Sequence, residues 1–130
     1  MASFLIMVHS TNYANQSSRS ALKYAEAVIN RGHTLKAIFF YQEGIYHANN
    51  LSLIPTDELN TSDGFKTLNT NHTTPLLLCV TAAQKRGVID EDQAKLESLA
   101  HFNLADGFTI AGLAEMASIA AQADYVVQFK

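Results

Sequence analysis

Three short apolar segments constrain this chain more than anything else in it. The first is the near-continuous run Phe4-Leu5-Ile6-Met7-Val8, the second ends in Ala37-Ile38-Phe39-Phe40-Tyr41, and the third is Leu76-Leu77-Leu78-Cys79-Val80. A run of this kind has no polar face to offer water, so it suits a strand of a parallel sheet covered on both sides. Between the first two, Ala21, Leu22, Ala25, Val28 and Ile29 recur at helical spacing, and Gly32 suits the helix's C-terminal end. Strands over Ser3 to Val8 and Thr34 to Tyr41 with a helix between them imply a right-handed parallel crossover.

The rest of the chain continues the alternation. Gln42 to Ser62 reads as a long, mostly irregular connection, a length that usually marks function or an interaction surface. Asp63 is placed to cap a short helix carrying Phe65 and Leu68, and Asp90 with Gln93 has capping-box spacing ahead of Ala94, Leu96 and Leu99. Asp90-Glu91-Asp92 then reads as helix-start charge complementing the dipole. Phe108-Thr109-Ile110 is a short candidate strand. Leu113, Met116, Ala117 and Ala120 form the apolar stripe of a last helix, and Tyr125 to Phe129 a last strand. The expected fold is a single α/β domain over residues 1–130: three layers, a mostly parallel sheet of about five strands with helices on both faces, and flavodoxin-like topology.

Composition narrows the function classes. An apolar fraction of 48% with 16% charged residues describes a chain that buries a core. The net charge is -3 and no basic cluster exceeds Lys85-Arg86, which argues against direct binding of nucleic acid. One cysteine permits neither an internal disulfide nor a cysteine-rich zinc site, in keeping with a reducing compartment. The first residues lack a positive n-region, and their apolar run is too short for a bilayer, so the expected location is cytoplasmic, away from the membrane. His9, His33, His47, His72 and His101 show no metal-binding spacing, and no metal or other cofactor is expected. The loop His9 to Gln16 has no glycine and matches neither a dinucleotide fingerprint nor a P-loop. A mononucleotide held there by hydroxyls is the remaining nucleotide reading.

Cys79 closes the third strand, where Thr81 and Gln84 have the spacing of a capping box, so a short helix is expected just after it. In parallel α/β domains ligands gather outside the carboxyl ends of the strands. Two readings of the thiol stay open: a small hydrophobe packed in the core, or a nucleophile or sulfur carrier. A helix terminus supplies about 0.3–1 kcal/mol to a nearby anion, less than the about 1.4 kcal/mol that a tenfold gain in thiolate requires. An active thiol therefore needs a further cation or a partner chain. His9, at the end of the first strand, shares this sheet edge, and Lys85 and Arg86 end the short helix. Tyr46 and His47 are candidates for a protein interface, and His33 is expected in solvent.

Four segments, taken together, carry a resemblance: Phe39-Phe40-Tyr41-Gln42-Glu43-Gly44-Ile45-Tyr46-His47-Ala48-Asn49, Cys79-Val80-Thr81-Ala82-Ala83-Gln84-Lys85-Arg86-Gly87-Val88, Gly107-Phe108-Thr109-Ile110-Ala111-Gly112-Leu113 and Ala123-Asp124-Tyr125-Val126-Val127-Gln128-Phe129. In order and spacing the chain resembles the DsrE/TusD family of small bacterial sulfur-relay subunits. The resemblance implies that Cys79 carries sulfane sulfur as a persulfide, accepted from a TusA-type donor and passed to a TusE- or DsrC-type acceptor. It also implies two smaller related subunits (of TusB/TusC or DsrH/DsrF type) in a dimer of heterotrimers, with a homo-oligomer open to the isolated chain. Of the family's two branches, tRNA wobble-uridine 2-thiolation and dissimilatory sulfur oxidation, Glu43 to Asn49 looks more like the first. Lys85 stands where an arginine often occurs.

Overall fold

In the computed structural model, which describes residues 1–130, five strands form one sheet in the order β4-β3-β2-β1-β5. They are β1 (Ser3–Val8), β2 (Thr34–Phe40), β3 (Leu76–Cys79), β4 (Phe108–Ala111) and β5 (Tyr125–Phe129). Every neighbouring pair is parallel. The sheet shares the open, doubly wound plan of flavodoxin; β2, β3 and β4 all lie to one side of β1, unlike flavodoxin's own strand order.

The helices follow from the same residues. In α1 (Ser17–Asn30), Ala21, Leu22, Ala25 and Val28 make the buried stripe, and Gly32 at φ 81° ends it in the left-handed conformation that suits glycine. α2 (Thr61–His72) buries Phe65 and Leu68. Its cap is Asn60, whose side chain accepts from the Asp63 N–H, so Asp63 is inside the first turn and not the cap expected from sequence. α3 (Val80–Lys85) follows β3 without a break, and α4 (Glu91–Leu96) is capped by Asp90, which accepts from the Gln93 N–H at 2.8 Å. α5 is Leu113–Gln122. Within the Gln42–Ser62 stretch, Gln42–Ala48 forms a 3₁₀ segment.

Three right-handed crossovers step from β1 to β4 in one direction and place α1 to α4 on one face. The β4–β5 crossover runs back, which puts α5 on the other face, where it packs on β2. A single cluster of 27 buried residues joins the layers. α5 contributes none of them. Of its expected stripe, Met116 and Ala120 are half-buried against the core, whereas Leu113 and Ala117 are exposed. One helix is too narrow to cover that side of a five-stranded sheet. No helix is long and apolar enough to cross a membrane.

Candidate functional site

The carboxyl ends of all five strands share one edge, so the residues that follow them converge: His9 after β1, Tyr41 and Gln42 after β2, Thr81 after β3 and Lys130 after β5. Cys79 itself is the last residue of β3, paired in register with Ala111 of β4, and is 1% exposed. It is also the N-cap of α3, without a side-chain capping bond. The expected Thr81–Gln84 capping box does not form, because the helix opens at Val80 and Thr81 already lies within its first turn. The Thr81 hydroxyl instead lies 3.5 Å from Cys79 Sγ. Thr81 is exposed although the sulfur is not.

Beside Thr81 opens a cavity of about 210 Å³ lined by Tyr41, Gln42, Thr81, Ala82, Lys85 and Arg86. Its two cations differ in state. Arg86 donates through Nε (3.1 Å) and a terminal nitrogen (2.6 Å) to one oxygen of Glu43, and through its other terminal nitrogen to the Ala82 carbonyl. The bond to Glu43 raises its pKa further above the ordinary arginine value, so it is a fixed cation. Lys85 is exposed and makes no ion pair. From sequence, Glu43 entered only as part of a family-like segment, without a role at this edge. Its partner is 43 positions away, and no local pattern announces such a pair.

Gln42 turns the chain at this edge. It holds φ 49°, in the left-handed region, at a cost of about 1–2 kcal/mol for a side-chain-bearing residue. His9 Nδ1 donates to Gln42 Oε1 at 3.1 Å, and its ring meets Tyr41 edge-on at 5.9 Å. His9 is thus engaged with the β2 end and makes no bond to the thiol. Its Nε2 is buried without a partner. A second cavity, of about 380 Å³, lies on the far side of Gln42, between His9, Thr11, Asn15 and Lys130.

Two other expectations are corrected. His47 is 1% exposed and cannot be an interface residue; Phe40 and Phe65 pack on its ring, while Tyr46 is half-buried. Its Nε2 faces the Ser10 carbonyl at 3.1 Å and so carries the proton, and Nδ1 accepts from the Ser62 hydroxyl at 3.3 Å. His33 is not free in solvent, since its Nδ1 accepts from the Ala2 N–H and its ring packs on Phe4. No group of three or more His, Cys, Asp or Glu side chains is close enough to hold a metal ion.

Comparison with known proteins agrees with this layout. The chain is 43% identical over 126 residues to proteins named "Sulfurtransferase TusD" from Salmonella paratyphi B and Salmonella newport, covering 97% of this chain and 98% of each relative. Among solved structures, the ychN protein of E. coli superposes with a TM-score of 0.77 at 23% identity, over 99% of this chain and 100% of that one. A protein of unknown function from Methanobacterium thermoautotrophicum superposes with a TM-score of 0.66 at 11% identity, over 98% and 99% of the two chains, and like ychN it speaks to the fold alone. The family model described as "DsrE/DsrF-like family" matches residues 2–129, nearly the whole sheet-and-helix unit described above, and the chain belongs to that family.

Proposed function

We propose that this protein is a sulfurtransferase carrying sulfane sulfur as a persulfide on Cys79, in the service of tRNA wobble-uridine 2-thiolation. One observation carries the reading: the chain's only cysteine ends a central parallel strand at the edge where ligands gather, in a chain closely related to proteins named as sulfurtransferases. The donor is a TusA-type persulfide and the acceptor a TusE- or DsrC-type thiol. In loading, the Cys79 thiolate attacks the outer sulfur of the donor persulfide. The Sγ–S bond forms, the donor's S–S bond breaks, and the electron pair leaves on the donor's inner sulfur as thiolate. In unloading, the acceptor thiolate attacks the outer sulfur and Cys79 leaves as thiolate. The sulfane sulfur keeps its oxidation state, so the exchange requires no redox cofactor. With no second thiol in the chain, the persulfide cannot collapse into an internal disulfide.

The working unit in this proposal includes two smaller related subunits of TusB/TusC type. α5 is rich in apolar residues, carries Glu115 as its only charge, and fully buries none of its side chains. On the edge strand β5, Val126 is exposed on this side of the sheet, since its neighbour Tyr125 stacks on Phe4 on the α1 side. A subunit of the same fold and near-neutral surface fits such a face.

A second reading, a scaffold subunit with a packed cysteine, has the 1% exposure of Cys79 in its favour. Intact mass after incubation with a persulfide donor separates the two. The wild type should gain the mass of one sulfur atom and Cys79→Ser should not; no gain with the donor and all partner subunits present would leave the scaffold reading standing. For the pathway, deletion of the gene should remove 2-thiouridine from tRNA, and its persistence would favour the sulfur-oxidation branch.

A further inference from the structure

Cys79 has a problem of access and of charge. Cys79 is buried at the end of β3, and its neighbours Leu78 along the strand and Ala111 across on β4 are apolar. A thiolate in such surroundings needs a hydrogen bond or a cation. The charged and titratable groups on the elements around it are otherwise engaged or turned to solvent. From the 3₁₀ segment, Glu43 is spent on Arg86; from the β1 end, His9 is bonded to Gln42; from α3, Lys85 is exposed. Tyr41, from the β2 end, lines the neighbouring cavity. One polar side chain touches the sulfur, the hydroxyl of Thr81 at 3.5 Å. The same residue is exposed and forms a wall of the cavity that Lys85 and Arg86 also line.

We propose that Thr81 is a second catalytic residue of the relay, its hydroxyl donating a hydrogen bond to the Cys79 thiolate and joining the enclosed sulfur to the basic cavity through which persulfides arrive and leave. The inference rests on Cys79 being the carrier. As a thiol, Cys79 needs little from Thr81; as a thiolate, it accepts the Thr81 O–H, a bond to a charged group and therefore stronger than one between neutral partners. Thr81, in the first turn of α3, both touches the sulfur and lines the cavity, so it stands between the two. The cavity's cations then face an incoming persulfide, which is anionic when ionised, and the leaving thiolate. Glu43 acts as a positioning residue here, since it clamps the Arg86 guanidinium against the cavity wall.

Thr81→Val removes the hydroxyl at nearly constant shape, and Thr81→Ser keeps it. The first measurement is the rate of Cys79 alkylation by iodoacetamide across pH. The valine variant should react about tenfold more slowly at neutral pH, the effect of losing about 1.4 kcal/mol of thiolate stabilisation, and the serine variant within about twofold of wild type on the same scale. The second measurement is gain of one sulfur by intact mass, which should slow in parallel. Superimposable alkylation profiles for wild type and both variants would overturn the role of Thr81 while leaving the carrier intact. A shifted profile in Thr81→Val, with a wild type that takes up no sulfur, would instead remove the carrier and with it the relay. Should Thr81→Val fail to fold, Thr81→Ala against Thr81→Ser makes the same comparison.

Discussion

His47 is the side chain whose protonation this fold constrains most. Burial lowers its pKa from 6.5 to about 4, partly opposed by the bond to the Ser10 carbonyl, which favours the charged ring. Its neighbours are hydroxyls and a carbonyl, with no carboxylate to pair an imidazolium. The unfolded chain therefore takes up a proton between pH 6.5 and about 4 that the folded chain refuses. Stability is fully present above pH 6.5 and falls as pH drops toward 4, by about 3 kcal/mol in total. Urea titrations at neutral pH and near the lower limit should show this loss, and His47→Gln should flatten it; an equally steep loss in the variant would assign the effect to other groups. Sequence alone placed His47 on the surface, because its partners Ser10, Ser18 and Ser62 are 15 to 37 positions away. The place of Cys79 in the fold was legible where that of His47 was not. Its setting, an apolar strand running into a short helix, is local.

At the scale of elements, the 3₁₀ segment is the least tolerant piece. Tyr41 donates its N–H to the Val8 carbonyl, and the Gly44 N–H returns to the Tyr41 carbonyl, so the segment crosses tightly over the end of β1. A Cβ built at Gly44 runs into the Val8 carbonyl, which is backbone and cannot step aside. Gly44→Ala should cost about 2–3 kcal/mol, as overpacking does, seen as a lower denaturation midpoint with an unchanged slope. Asp90→Ala should cost about 1 kcal/mol through loss of the α4 cap, measured the same way; no change would mean the Gln93 N–H finds water as readily. The caps show where the sequence was readable. Asp90 with Gln93 is a local signal and forms half its expected box, whereas Asn60 and Cys79 cap helices whose starts the spacing put elsewhere. Strands β1 and β5 carry their limits in their apolar runs; the segment after β2 shows no periodicity, and long-range packing shapes it.

For the whole molecule, the exposed side of α5 lets folding be tested apart from the proposed assembly. Leu113 is 45% exposed and Ala117 is exposed beside it. Leu113→Glu with Ala117→Glu should leave stability of the isolated chain within about 0.5 kcal/mol per site, as for surface positions. It should abolish co-elution with TusB/TusC-type subunits on co-expression, and retained co-elution would place the interface elsewhere. The helical spacing of Leu113, Met116, Ala117 and Ala120 was visible in sequence, but spacing cannot say whether an apolar stripe meets its own sheet or another chain. The strand order has a separate consequence, for biosynthesis. β1 is the first strand to leave the ribosome, and one of its two neighbours, β5, is the last, bound again through Ser3 and Asp124. Until translation reaches β5, one edge of β1 offers unpaired amides and carbonyls to any other chain. Pairs so distant in sequence also form slowly. Until β5 joins the sheet, the nascent protein is thus prone to aggregate through that edge, and chaperones that shield an open strand edge should matter most in that interval.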